Sequence, residues 1–569
     1  MEEDMMPEQR STLNVLDEIR QVESGHSVPV LTGNTTDLYV ARTGAVVSMS
    51  HLLAYEGAEQ GYATVMFSLA RGSHELTLGG RAPSTGLRHV NNDDGASTAL
   101  ADLLAQLEST TQPVLLIVDY SDLLLPATGG ADSVLREQER LIELLAEHAL
   151  AQASRRTQHR LVVLSSAGGA LDPRLAQLPG FQTVTVGLPN LPERRAMLER
   201  LMNPSVGTPL VLTDDLDLEA AAALTGGLVN FDLMHARDLC QTTGAPLGRA
   251  WIQARKSATI ARLAGDSLIV YPPGRGMADV AGLPQVRLLI EEYRRAGRTP
   301  RRILLAGPPG VGKTLVVRAI ADELGYPVVA LGNYRNMYVG ETERRFRQAL
   351  QVVQDLSPCV LHIDEIDQSI GQRTTGQSSD GGTSERVLAD MWAFLGDNTN
   401  AQVTVVATTN RPELLDPAMF DRFEIIPVLH PTPSEAADVL TIHAQREGHQ
   451  LDTQVALSAV QRYGQLVTGR VLVDVIDRAI TLAAGAGQPL GGQHLQDAFD
   501  ELLTAVNASH HEALALRAVA LTTFSSRLPW EASRRLGQPA HVPYYLSGVV
   551  DPSTGRTDPE KLATLIASR

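Results

Sequence analysis

Residues 301–317, RRILLAGPPGVGKTLVV, constrain what this chain can fold into more than any other stretch. Ile303, Leu304, Leu305 and Ala306 form a short apolar run that reads as a buried parallel strand, a glycine-rich loop follows, and Lys313 and Thr314 open a helical pattern. Strand, tight loop and helix in that order are the building unit of a parallel sheet with helices on its faces. The spacing GxxxxGK[ST] also fixes a chemistry. In the loop Gly307, Pro308, Pro309, Gly310, Val311 and Gly312, the glycines let successive backbone N–H groups turn inward and close on a phosphate at the positive end of the helix. Lys313 is expected to reach the β- and γ-phosphates of ATP, Thr314 to hold Mg2+ through its hydroxyl, and Leu315 to continue the helix behind them. A glycine-rich turn serving no nucleotide is the competing reading, and lysine usage weighs against it. The chain has three lysines, Lys256, Lys313 and Lys561, and otherwise places positive charge on arginine.

A chain of 569 residues exceeds one hydrophobic core, so several domains are expected. The formal charge of −17 argues against a nonspecific grip on nucleic acid or anionic lipid, both of which need cationic surface. With only Cys240 and Cys359, a disulfide framework or cysteine metal site is not expected. The acidic start, MEEDMMPEQR, lacks an apolar core, and no stretch is long enough to span a bilayer, so the expected location is the cytoplasm.

In residues 1–265, strand-like runs at 28–31, 63–67, 114–118, 161–164 and 183–186 alternate with helical patterns. The alternation implies a second parallel α/β domain, but one without the chemistry. No lysine precedes Lys256, so no GK[ST] can exist in this half. Asp119 ends the third run, yet Tyr120 stands where a catalytic glutamate would be needed. The polar, glycine-rich stretch 71–96 reads as a long loop, residues 213–240 as a small helical lid, and residues 253–273 as the passage into the second half.

In the second half, SPCVLHIDEID at 357–367 is an apolar strand ending in carboxylates. Asp364 is expected to orient Mg2+, and Glu365 to take the proton from the attacking water. QVTVVATT at 402–409 is the next strand, and Asn410 after it offers a neutral amide that can hold the water against the γ-phosphate. Asn410 also suits a turn cap before Arg411 and Pro412, and the two readings are compatible.

GPPGVGKT, HIDEID, TTNRPELLDPA and TGRVLVDVIDRA, in this order and spacing, resemble the narrow-sense AAA family, which includes proteasomal ATPases and FtsH-type unfoldases. The likeness covers residues 279–519. It implies that the entry DVAGL, with Asp279, Val280 and Gly282, contacts adenine, and that subunits form a hexameric ring with an arginine finger donated by the neighbour. Arg422 matches the second of the two family arginines; the first is missing, because the segment is about two residues shorter. The resemblance makes Met337, Tyr338 and Val339 a channel loop that grips a polypeptide client, with packing of Tyr338 at a subunit interface as the other reading, and it places a second channel loop at 373–382. Arg470, at the start of a lid helix, has two readings: a phosphate sensor, or a side chain that solvates the helix terminus. Leu472 and Val473 replace the small residues usual there. No HExxH occurs, so no zinc protease of that type is expected within the chain.

The expected fold is therefore α/β, as tandem P-loop NTPase-like parallel α/β/α domains, each with a small helical lid. The expected segments are a degenerate domain at 1–265, an ATPase domain at 266–430, its lid at 431–510 and a tail at 511–569. The expected activity is ATP hydrolysis with Mg2+, driving a homo-oligomeric remodelling motor, hexameric by the resemblance, on a protein client; a nucleic-acid motor is disfavoured by the acidic charge, and no membrane partner is expected. The alternative is an ATP-gated oligomeric scaffold with slow turnover.

Overall fold

The computed structural model describes residues 12–78, 85–127, 132–166, 171–264, 268–272, 274, 276–331, 341–369, 383–396, 402–415, 417–502, 507–551 and 553–568. The chain divides into two compact units, 1–248 and 249–569.

The first unit contains β1 (Val28–Gly33), β2 (Leu38–Val40), β3 (Val46–Ser48), β4 (Ala63–Ser68), β5 (Gly72–Glu75), β6 (Val114–Val118), β7 (Arg160–Leu164) and β8 (Phe181–Val186). Six of these form one sheet in the order β5-β4-β6-β7-β1-β8, parallel except for the β4–β5 pair. The five runs read from the sequence are the five parallel strands. β6 is buried at every position, and its Val, Leu and Ile side chains contribute about 1.5–3 kcal/mol each on burial. The stretch 71–96 departs from the expected loop. Residues 72–75 pair antiparallel with β4, and Val90 exchanges hydrogen bonds with Ser73, so backbone pairing holds polar residues that hydrophobic patterning alone leaves unassigned. The lid of this unit is the helices Leu191–Met202, Leu218–Leu224 and Asn230–Thr243; the first carries a reciprocal cap between Asn190 and Glu193.

The second unit contains β9 (Leu268–Tyr271), β10 (Arg302–Ala306), β11 (Val328–Leu331), β12 (Cys359–Ile363), β13 (Val403–Thr409) and β14 (Glu424–Pro427), in the order β14-β10-β13-β12-β11-β9. β9 alone runs antiparallel. Numbering the five parallel strands of each unit in chain order, both sheets read 5-1-4-3-2, with an antiparallel strand beside strand 2. The two units thus share one topology, and the tandem α/β expectation holds.

The boundary differs from the expected 265. Helix Arg249–Ala264 belongs to the second unit. Ile260 joins its core, Gln253 Nε2 donates to Asp322 and to Tyr326 O, and the buried Lys256 donates to Pro358 O at 2.6 Å. The stretch 253–273 is accordingly a packed helix and edge strand instead of a passage.

The lid of the second unit is four helices, Pro433–Arg446, Thr453–Tyr463, Gly469–Ala486 and Gly492–Asp500, closed on a core that includes Leu440, Leu472, Ile476 and Phe499. The expected capping box is present: Thr432 accepts from the Glu435 N–H, and Glu435 accepts from the Thr432 N–H. The C-terminal segment packs on its own unit. Ala518 of helix Ala508–Ala520 enters the sheet core, Arg527 pairs with Glu424 and Glu292, and Trp530, 1% exposed, donates Nε1–H to Gly555 O. Cys359 is buried in β12 and Cys240 half-buried, both as free thiols. Among the described residues, no helix is long and apolar enough to cross a membrane.

Candidate active site

The site lies at the carboxyl ends of β10, β12 and β13, where a parallel sheet presents its ligands. Leaving β10, the chain needs a residue without a side chain. A Cβ at Gly307 would stand 2.0 Å from Val428 O, in the neighbouring strand's continuation. Gly310, at φ +79°, then turns the loop into the start of helix Lys313–Leu324. Lys313 is buried, and its Nζ donates to Gly307 O (2.8 Å), Pro308 O (2.7 Å) and Asn410 Oδ1 (2.6 Å). Burial pushes its pKa down to about 8, against the opposing pull of Asp364, Asp367 and Glu365.

β12 delivers the carboxylates. Asp364 Oδ1 accepts from Thr408 Oγ1 (2.6 Å) and from the Glu365 N–H (3.2 Å). Glu365 occupies the left-handed region at φ +44°, a conformation that a non-glycine residue adopts only where its surroundings impose it. Its N–H is shared with Thr408 Oγ1, and its Oε1 accepts from Asn410 Nδ2 at 3.1 Å. Lys313, Asn410 and Glu365 therefore form one hydrogen-bonded path. Asn410 is the amide between a cation suited to phosphate and a carboxylate suited to take a proton. Behind it, Thr409 Oγ1 donates to Asp367 and His362 is fully buried, its pKa lowered by that burial.

A cavity of about 1010 Å3 opens over this path, at the upper end of the range for small-molecule sites. Pro309, Gly310, Val311, Gly312, Lys313, Thr314, Leu315, Asp364, Glu365 and Asn410 line it, as do Asp279, Val280, Gly282 and Arg470. The Arg470 N–H donates to Gly310 O (3.1 Å), so the lid helix begins directly on the loop even with Leu472 and Val473 in place of small residues. Asp279 turns its carboxylate to Arg446 of the lid, at 2.8 Å, instead of leaving it for a ligand. Ile442 and His443 also line the cavity and were not singled out from the sequence. The signal was available: with Arg446 they share one face of the capped helix Pro433–Arg446. Arg422 is not among the lining residues; it sits half-buried in the turn after helix Pro417–Phe420. Met337, Tyr338, Val339 and the stretch 373–382 lie outside the described residues.

The donor set suits a magnesium-bound triphosphate. It combines a loop whose glycines admit a close phosphate, a buried ammonium, a hydroxyl at Thr314 and a carboxylate at Asp364.

The first unit keeps the frame and reverses the charge. After β1, where the second unit has its loop, stands Asp37, 3% exposed. It accepts from Asn34 Nδ2 (3.0 Å) and from the N–H groups of Asn230 and Phe231 (2.9 Å each), which open the lid helix Asn230–Thr243. A carboxylate of the chain thus fills the helix-terminal anion position. After β6, Tyr120 has φ +50° and bonds back to Asp119, which is the backbone arrangement of Glu365 and Asp364 without the second carboxylate.

Residues 303–430 match the family model described as "ATPase family associated with various cellular activities (AAA)". The second unit carries an AAA ATPase domain. Residues 16–187 match "AAA+ chaperone, N-terminal Rossmann-like domain", so the first unit is similar to that domain over those residues. Among curated relatives, ATP-dependent zinc metalloprotease FtsH 2 of Symbiobacterium thermophilum is 35% identical over 266 residues, 42% of this chain and 44% of that protein. ATP-dependent zinc metalloprotease FtsH of Acidothermus cellulolyticus is 36% identical over 237 residues, 38% of this chain and 35% of its own length. That of Mycobacterium tuberculosis is 35% identical over 256 residues, 41% and 32% respectively. The chain thus spans less than half the length of these relatives. The matched family is by its description an ATPase family, and the relatives are named ATP-dependent.

Proposed function

We propose that the chain is an ATP-driven motor that remodels a protein client, working as a homo-oligomeric ring, a hexamer by family likeness. The observation that carries this reading is the continuous path from Lys313 through Asn410 to Glu365. Gly310, Val311 and Gly312 offer their backbone N–H groups to the phosphates, Gly307, Pro308 and Pro309 shape the loop that presents them, and Lys313 exchanges its carbonyl partners for phosphate oxygens. Thr314 and Asp364 hold Mg2+, which when bound supplies positive charge to the transferring phosphoryl group. Glu365 takes the proton from water that Asn410 orients. Val280, Gly282 and Arg470 flank the base and phosphates.

Arg422 lies away from the cavity of its own chain, which suits a side chain that acts on an adjacent copy's site. A finger of that kind is worth roughly 10³–10⁵ in rate. The relatives' name, a metalloprotease, fits a module that handles polypeptide, and Tyr338 is the residue proposed to grip it. The acidic charge speaks against a nonspecific grip on nucleic acid.

One observation favours the second reading, an ATP-gated scaffold. The lid of the first unit is fastened by Asp37 and so offers partners a surface that nucleotide does not alter. Tyr338→Ala separates the readings: a motor keeps ATP hydrolysis and loses remodelling of a tagged unfolded substrate. Unchanged remodelling removes the motor. Sedimentation of Glu365→Gln with and without ATP tests the ring, which fails if the sedimentation coefficient does not rise.

A further inference from the structure

Loop, carboxylates and lid make three sides of the nucleotide cavity; a fourth comes from the C-terminal segment, more than two hundred residues beyond the loop. Pro529, Ser533, Gln538, Pro539 and His541, in the C-terminal segment, line the same cavity as Lys313 and Gly282. This wall is anchored. Leu429, just past β14, shares an apolar core with Trp530, Tyr545 and Leu546 of the C-terminal segment. The next residue, His430, is 8% exposed, lines the cavity, and has Nε2 at 3.1 Å from His511 Nδ1 on helix Ala508–Ala520. Its other ring nitrogen, Nδ1, is buried without a hydrogen-bond partner among the described residues.

A buried polar atom normally has a partner, because leaving it unpaired costs about 1–3 kcal/mol. The titratable groups acting on His430 are His511 and Lys313, with His510 set against His511 on its own helix, and all are cationic or neutral. Together they disfavour a protonated ring and favour an incoming anion. The connector also has the right neighbours to pass a signal. The Val428 N–H is bonded to Ala306 O at the loop, Leu429 is in the C-terminal core, and Thr432 caps the first lid helix.

We propose that His430 is a nucleotide-contacting residue, donating Nδ1–H to the phosphate-proximal part of the bound nucleotide while His511 donates Nδ1–H to its Nε2, so that occupancy of the pocket is transmitted to the C-terminal segment 508–543. The proposal rests on this cavity being the nucleotide site.

The test measures ADP binding by calorimetry, with Mg2+, on the full chain, and hydrogen exchange with and without ADP. His430→Leu keeps the volume and removes the nitrogen. It is expected to weaken ADP about threefold to tenfold, the equivalent of one neutral hydrogen bond. His511→Ala keeps His430 and cuts the tie, so affinity changes less than twofold while ADP-induced protection of 529–543 is lost. In the wild type, ADP protects 529–543 together with 307–317. Affinity unchanged in His430→Leu, with an unchanged nucleotide-free melting temperature, overturns the contact. Protection at 307–317 alone overturns the wall. Should His430→Leu melt early without nucleotide, the exposed Gln538→Ala and His541→Ala decide through exchange at 529–543, and wild-type protection there in both variants overturns the wall. If the wild type binds no ADP, or Lys313→Ala binds as tightly as the wild type, it is the nucleotide-site reading that fails.

Discussion

Lys313 makes nucleotide affinity depend on pH with a sign that the structure fixes. Burial lowers its pKa from 10.5 to about 8, and the triphosphate requires the ammonium form. Bound phosphate restores a high pKa, so the free protein must take up a proton to bind whenever the pH exceeds about 8. Affinity is then flat below pH 8 and falls about tenfold per unit above it, giving a loss of about 30-fold by pH 9.5, or about 2 kcal/mol. Calorimetry in buffers of different ionisation enthalpy reads the proton directly: about 0.75 proton taken up per ADP at pH 8.5, and near zero at pH 7. Stability has the opposite sign. The folded chain binds fewer protons than the unfolded one between pH 8 and 10.5, so this group makes the nucleotide-free second unit more stable as pH rises through that window. Lys313→Met removes both effects. A flat affinity from pH 7 to 9.5, or proton release on binding, would refute the argument that Lys313 is a desolvated ammonium waiting on phosphate.

Three further outcomes are expected. Glu365→Gln preserves ADP affinity within about threefold and lowers turnover by about 10²–10⁴, measured by phosphate release, because the amide keeps the bond to Asn410 and cannot take a proton. Asp37→Ala strips the cap from two helix N–H groups and lowers the melting stability of the first unit by about 1–3 kcal/mol without creating nucleotide binding there, as calorimetric melting and ADP titration of a Lys313→Ala background will read. His148, half-buried with its Nε2 shielded from water and its pKa pushed down to about 4 by desolvation, takes a proton only on unfolding at mildly acid pH. The first unit should therefore lose about 2 kcal/mol between pH 7 and 5 through this group, and His148→Leu should flatten that limb in chemical denaturation.

The loop, the carboxylates and the five strands of the first unit were legible because in each the residue type is itself the physical requirement. A central parallel strand such as β6 is apolar on both faces, an edge strand such as β8 keeps alternate apolar positions, and a phosphate loop must have its glycines and its lysine. The lost hairpin at 72–75 was hidden because it is held by backbone pairing to β4, which polar side chains do not announce. Helix Arg249–Ala264 was assigned to the wrong half because its partners, Asp322 and Pro358, are far along the chain. His430 and the segment around Ser533 were not legible as parts of the site for the same reason: lining a cavity is decided by tertiary packing, and neither has a motif. Asp37 could have been found only by asking what satisfies the first N–H groups of helix Asn230–Thr243, a question that needs coordinates.

The two units differ least in backbone and most in the charge at one point. Both have the 5-1-4-3-2 sheet, and both have a left-handed residue after the third parallel strand, Tyr120 at +50° and Glu365 at +44°. In the first, the lid helix is tied to the loop after β1 by a carboxylate of the chain itself, through two charge-assisted bonds that need no ligand. In the second, the corresponding tie is a single backbone bond from the Arg470 N–H to Gly310 O, beside a buried lysine whose charge is only partly compensated. An anion entering the second site meets Lys313 beside this single backbone tie of the lid helix to the loop. The same anion would meet Asp37 in the first. The proposed motor therefore draws its lid movement from the second unit, whose lid helix has the lighter tie to its loop.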